Sequence, residues 1–377
     1  MVIDMQPSMK FLRRDIEPGR RILVTSDIHG HPELLKGLLE KAGFTGKDLL
    51  IIVGDIVEKG PDSLGALRYI MELCEKGNTV ALLGNVDAWR VTIINELSES
   101  TAKEFYEYLE NIRSWTGCLW DEMTAELGVL CKSPDDVLSM KDRVTEHFCR
   151  ELEFLSGLPT LLETQKYVFV HGGLRDTEIA ANEKRDYSEL LKYDNFYAAA
   201  PAFEKYIVVG HYPTTLYDDR IACCNPKTDT ERKIIAIDGG CGIKKYGQLN
   251  LLIIPDIDAD ISENTFICAD ELPTAVALDS QEPSTDPVNI RWTDNKIETL
   301  EKRDGFRFIR HLSTGHKLWI PDEYVYSDDR AKDYSDYMLP IRPGDTISLV
   351  HRTSRRWLAK KDGVFGWYCG RTEGASE

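Results

Sequence analysis

Seven short apolar runs recur through the first 255 residues: RRILVTSD, LLIIVGD, NTVALLGN, KYVFVHGG, KYIVVGH, KIIAIDGG and QLNLLIIP. Stretches with helical spacing of apolar residues lie between several of them. Near-continuous apolar runs read as strands buried on both faces, and their alternation with helices predicts an α/β sandwich. PELLKGLLEKAG shows the helical half of the pattern, with Pro32 suited to a first helical position and Gly43 to a stop. The residues that follow each run carry the chemistry. The first run ends in Asp27 and His29, the second in Asp55, the third in Asn85 and Asp87, the fourth in His171 and the fifth in His211. Ligands of open α/β folds bind outside the carboxyl ends of the strands, so these five segments can meet at one spot. A single Asp or Asn after a strand is usually a turn former. Three of the chain's eight histidines at such positions point instead to a metal site. Carboxylate, imidazole and amide oxygen together suit Mn, Fe or Zn better than a serine or cysteine nucleophile.

At 377 residues the chain exceeds what a single core of about 250–300 residues encloses, so two domains are expected. Residues 1–255 form the expected catalytic domain, with a charged helical cap inserted at 97–155. Residues 256–285 read as an acidic connecting segment, because 256–282 hold eight Asp and Glu and no Lys or Arg. Its DIDAD sequence opens like a calcium loop but has Ile261 at the turn-glycine position and Ile267 where a bidentate glutamate is needed. Residues 286–377 read as short strands, turns and many aromatics, the expected small all-β part. FRFIRHLSTGHKLWIPDEYV and GDTISLVHRTSRRWLAKKDGVFGWYCG within it resemble SH3-like barrels.

The formal net charge of -17 disfavours nucleic acid and anionic membrane surfaces as partners. Nine cysteines without a CxxC pair fit reduced thiols, and no window reaches the roughly 18 apolar residues of a membrane span. A cytoplasmic protein is expected.

SDIHG, GDIVEKG, LGNVD, VHGGL and GHYPT occur in the order of the calcineurin-like metallophosphoesterases. They most resemble the phosphoprotein-phosphatase branch, with its GDxHG, GDxVDRG, GNHE/D, HGG and GH pattern. LSGLP and IDGGCG add to the likeness, which covers about residues 20–255. The resemblance implies a four-layer α/β/β/α sandwich and a dinuclear centre of Mn, Fe or Zn, with Mn favoured. Asp27 and His29 would bind one ion, Asn85, His171 and His211 the other, and Asp55 both. It also implies a phosphatase or phosphodiesterase in which a hydroxide between the metals attacks phosphorus. The substrate would be a phosphorylated small molecule, a nucleotide or a phosphoprotein.

Three positions depart from that branch. Val86 stands where the family has a histidine that protonates the leaving group or orients phosphate. Glu58, a candidate catalytic residue, replaces that histidine's aspartate partner, and Lys59 replaces an arginine. Asp87 and His31 are the candidate replacement acids. Lys59, Arg90 and Arg175 are the candidate phosphate contacts, although Arg90 lies one place beyond the family's arginine. Without a general acid, phosphodiesters and pyrophosphates are better substrates than alkyl monoesters. The competing expectation is a catalytically weakened scaffold that binds a protein partner through its SH3-like C-terminal region.

Overall fold

The computed structural model describes residues 5–114, 116–353 and 356–374. The chain divides into two compact units: Met1–Tyr212 with Pro226–Asp270, and Pro213–Asn225 with Glu271–Glu377.

In the first unit the apolar runs become strands. Among the described residues, β1 (Phe11–Arg13), β2 (Ile22–Thr25), β3 (Leu49–Val53), β4 (Thr79–Leu82), β5 (Leu161–Glu163), β6 (Tyr167–Val170), β7 (Tyr206–Val209), β8 (Lys227–Asp229), β9 (Ile234–Ala236), β10 (Leu249–Ile254) and β11 (Thr265–Ala269) build two mixed sheets. One runs β1-β5-β6-β7-β9-β8 and the other β11-β10-β2-β3-β4. Alternation along each strand decides what the two faces bury. Val24, Ile51 and Val53 share a core with Phe169, Val208 and Ile235, so the sheets pack face to face. Leu23, Leu50 and Ile52 point the other way and pack against helices.

Those helices are α1 (Pro32–Lys41), α2 (Ser63–Glu75) and α3 (Asn85–Glu96), followed by α4 (Ala102–Arg113), α5 (Leu119–Glu126), α6 (Pro134–His147) and α7 (Cys149–Gly157). Pro32 begins α1, as its fixed φ favours. The Asp62 carboxylate caps α2 by accepting from Gly65 N at 2.9 Å. The segment expected as a cap contains helices α4 to α7, and its Phe105, Trp120 and Phe148 join the same core as the buried residues of α1 and α2. Among the described residues no helix is long and apolar enough to cross a membrane.

The segment 256–285 is more than a connector. It contains β11, antiparallel to β10, and β12 (Thr274–Ala277), which belongs to the second unit. The acidic residues flank these strands and sit in solvent, so their charge masked the short TFICA and TAVA runs. The second unit is all-β apart from short 3-10 turns. With β13 (Asn289–Ile290), β14 (Ile297–Arg303), β15 (Phe306–His311), β16 (Lys317–Pro321), β17 (Tyr334–Ser335), β18 (Thr346–Arg352), β19 (Trp357–Lys361), β20 (Val364–Tyr368) and β21 (Thr372–Glu373), it forms antiparallel sheets β20-β19-β18-β12-β21, β13-β17 and β14-β15-β16. Residues 213–225 belong to this unit: Asn289 Nδ2 donates to Thr215 O at 2.9 Å, and Phe365 N donates to Ala222 O at 3.0 Å.

Candidate metal centre

Register places the donors. β2, β3 and β4 are parallel and in step, Thr25 beside Ile52 and Val53 beside Leu82, so the residues after them leave the sheet at one edge. Those residues are Asp27, Asp55 and Asn85. In the other sheet β6 and β7 are parallel, with Phe169 beside Val208, and they deliver His171 and His211.

The turns beyond the strands are strained. Asp27, His29, Asp55 and His211 have φ of 54°, 45°, 53° and 66°, a left-handed conformation that costs a non-glycine residue about 1–3 kcal/mol. Close approach requires glycine at two neighbouring points. A Cβ on Gly54 would lie 2.6 Å from Gly84 Cα and 2.8 Å from His171 Nδ1, and one on Gly84 would strike Asp55 N. Strained backbone and missing side chains together let five segments crowd one place.

The resulting cluster is tight and buried. His29 Nε2 lies 3.6 Å from Asp55 and 3.9 Å from Asp27, while His171 Nε2 lies 3.4 Å from the other Asp55 oxygen. Asn85 Oδ1 is 3.0 Å from His171 Nε2 and 2.7 Å from His211 Nδ1. The far nitrogens of two rings are tied to carbonyls, His29 Nδ1 to Val57 O at 3.2 Å and His171 Nδ1 to Val53 O at 2.7 Å, which turns both Nε2 atoms toward the carboxylates. Asp27, His29, Asp55 and His171 are all buried.

The donor set has the character of a cation site. Asp27, His29 and Asp55 offer ligand atoms within 4.8 Å of one another. Asp27 Oδ1 and Asp238 Oδ2 are buried without a hydrogen-bond partner among the described residues. Burial raises the Asp27 carboxyl to about 6, partly offset by His171 and reinforced by Asp55. Burial and the Lys59 charge lower His29 to about 3. Burial, with Asp27 next to it, also holds Asp238 well above the usual carboxylate range. Burial opposes charge on His171, but Asp55 and Asp27 outweigh it and raise that ring to about 10; the crowded carboxylates draw in positive charge, and divalent cations match that need.

The other predicted residues divide. The Lys59 ammonium lies 3.5 Å from His29 Nε2, at the cluster. Arg90 does not reach it: fully buried, it donates from Nε to Glu58 at 2.8 Å and packs against Trp89, Phe105 and Tyr108. Glu58, read as catalytic, is occupied by Arg90, by Tyr108 Oη at 3.0 Å and by Leu119 N at 3.0 Å. Asp87, also read as catalytic, is spent on backbone. It accepts from Ile56 N, Val57 N and Gly84 N at 2.9, 3.2 and 3.1 Å, which fixes the Asp55 loop to the start of α3. His31 Nδ1 faces its own turn, 2.7 Å from His29 O. Arg175 folds back on residues 189–193, donating to Glu189 O and Lys192 O with its guanidinium 4.0 Å from the Tyr193 ring centroid.

One carboxylate escaped the sequence reading. Asp194 lies 2.8 Å from His211 Nε2, the nitrogen opposite the one facing Asn85. It follows no apolar run, so strand-end reasoning passes over it. Asp238 does satisfy its turn, accepting from Gly240 N at 2.7 Å, but its second oxygen lies within the buried charge field of Asp27.

The family model for calcineurin-like phosphoesterases matches residues 20–238. Serine/threonine-protein phosphatase 1 of Salmonella typhimurium is 28% identical over 184 residues, which is 48% of this chain and 79% of that protein. The symmetrical bis(5'-nucleosyl)-tetraphosphatase of Shigella dysenteriae is 41% identical over 80 residues, and the match spans 27% of that relative's length and 21% of this chain. Among solved structures, a protein serine/threonine phosphatase from Saccharomyces cerevisiae aligns with a TM-score of 0.42 and 16% identity, over 71% of this chain and 86% of that one.

Proposed function

The chain belongs to the calcineurin-like phosphoesterase family, and from that premise we propose that it is a divalent-metal-dependent hydrolase of phosphate esters or anhydrides with good leaving groups. The observation that carries this reading is the meeting of Asp27, His29, Asp55, Asn85, His171 and His211 at one strained edge. We assign two ions, with manganese first among Mn, Fe and Zn. Asp27 and His29 would hold one, Asn85, His171 and His211 the other, and Asp55 both. Bound cations would supply Lewis acidity, lowering the pKa of water and offsetting charge on phosphoryl oxygens.

The chain's own groups do the rest. His29 and His171, fixed through Nδ1, present lone pairs without reorganising. Asp194 holds His211 in the same way. Lys59 adds a point charge where a phosphoryl group would sit, without the two-pronged geometry of arginine. Val86 has no proton to give, and Glu58, the neighbour that would orient a histidine there, is committed to Arg90. A leaving group must therefore depart as a stable anion. General acid help is worth about 10²–10⁴-fold, so alkyl monoesters should react far more slowly than diesters of acidic alcohols or phosphoanhydrides.

Purified protein with manganese is expected to hydrolyse bis-p-nitrophenyl phosphate or a nucleoside polyphosphate, and Asp55→Ala and His171→Ala to abolish this. Equal activity in both variants would refute the reading. The second reading, a scaffold that binds a protein through the second unit, draws on the loss of the acid at Val86. A protein that retains no manganese on dialysis, hydrolyses no phosphoester and still captures a partner through residues 284–377 would favour it.

A further inference from the structure

Trp89 is a large aromatic with 37% of its surface in solvent, one helical turn beyond Asn85 on α3. Residues four apart on a helix share a face, and side chains lean toward the helix N-terminus. A side chain at residue 89 thus leans toward the turn that carries Asn85 and Val86. The indole is held in place: Tyr108 meets it edge to face with ring centroids 4.6 Å apart, and the Arg90 guanidinium lies 4.8 Å from its centroid. Tyr108 and Arg90 are in turn both anchored on Glu58. Val86, only 8% exposed, adds an apolar surface three positions before it.

We propose, resting on the hydrolase reading above, that Trp89 is the stacking platform for the base of a nucleotide substrate whose phosphates occupy the Asp27 to His211 cluster. On this view the Glu58 and Val86 departures belong together. Glu58 no longer orients an acid; it braces the aromatic shelf, and Val86 forms apolar floor where an imidazole would stand. The rival aromatic substrate, a phosphotyrosyl group, suits the site less well. Its phenolate leaves with a pKa near 10, against about 6 for the second ionisation of a phosphate leaving group, and nothing at residue 86 offsets the difference.

The test compares ATP with inorganic tripolyphosphate, which share a phosphate chain and differ in the base, using full-length protein with manganese. Trp89→Ala should lower the ratio of kcat/KM for ATP to that for tripolyphosphate by about ten- to a hundredfold, as loss of one stacked base does. The loss should fall mainly in KM, and Trp89→Phe should recover most of it. Titration of metal-free protein with AMP should show binding weakened to a similar degree in Trp89→Ala. A ratio unchanged in Trp89→Ala, or a loss confined to phosphotyrosine, overturns the proposal. If the wild type hydrolyses neither polyphosphate nor bis-p-nitrophenyl phosphate, the hydrolase reading fails while the AMP titration still decides on the platform.

Discussion

Glu58 and Arg90 form an ion pair 2.8 Å long in which neither side chain reaches solvent. The pair joins the loop after β3 to helix α3, and Tyr108 and Leu119 extend it into the inserted helices. Arg90 also has two buried terminal nitrogens without hydrogen-bond partners among the described residues. A pair so placed is costly to break from one side, because the survivor is left as an uncompensated buried charge. Arg90→Met should destabilise the protein by about 3–5 kcal/mol, and the double substitution Glu58→Leu with Arg90→Met should recover part of that loss. Denaturant unfolding of the three variants measures it, and additive losses in the double variant would show that the pair is not coupled.

The same pair limits what engineering at residue 86 can achieve. Val86→His alone should raise turnover of an alkyl phosphate by less than about tenfold, well short of full general acid help, because Glu58 cannot swing away from Arg90 to orient the ring. Steady-state rates on a series of leaving groups check this. A flattened dependence on leaving-group pKa in the single variant would contradict it.

Asp194 should matter for cation affinity more than for folding. Its carboxylate is mostly in solvent, yet it bonds the far nitrogen of His211. Partners of this type are worth about 10–100-fold in metal affinity. Asp194→Asn is expected to weaken manganese binding by that order in equilibrium dialysis while leaving the thermal midpoint within a few degrees.

Glu122 gives the fold a pH dependence away from the metal centre. Its carboxylate accepts from Ser63 N at 3.0 Å and Leu64 N at 2.6 Å at the start of α2, and burial raises it to about 7 against those two hydrogen bonds. A carboxyl whose folded pKa lies above its unfolded value binds more protons folded than unfolded between the two. Stability therefore falls as pH rises from about 4.5 to about 7, and the full penalty applies above that. Glu122→Gln should remove a slope of up to roughly 3 kcal/mol across that window. Urea midpoints at pH 5 and pH 8 for both proteins would show the difference.

The strands and the meeting of the six candidate ligands were legible because both depend on local pattern. An apolar run such as LLIIV makes a buried strand wherever it lies in a sheet, and parallel register then brings its end to the common edge. The fates of Glu58, Asp87 and Arg90 were not legible. Each is decided by partners 30 to 61 residues away, such as Tyr108 Oη and Leu119 N for Glu58 and the backbone after β3 for Asp87. No spacing rule links these positions. β11 was missed for a different reason: its half-exposed TFICA sequence lies among acidic residues that read as a linker.

Residues 213–225 follow the first unit's His211 in sequence, yet their hydrogen bonds go to Asn289, Gly363 and Phe365, up to about 140 positions later. On a translating ribosome this loop emerges long before the sequence that will receive it. It leaves His211 two residues upstream tethered to a segment whose resting place is made only about 140 residues later. Truncation after Asp270 would therefore yield an enzyme half with an orphaned loop, and the C-terminal half expressed alone would lack a piece of its own fabric.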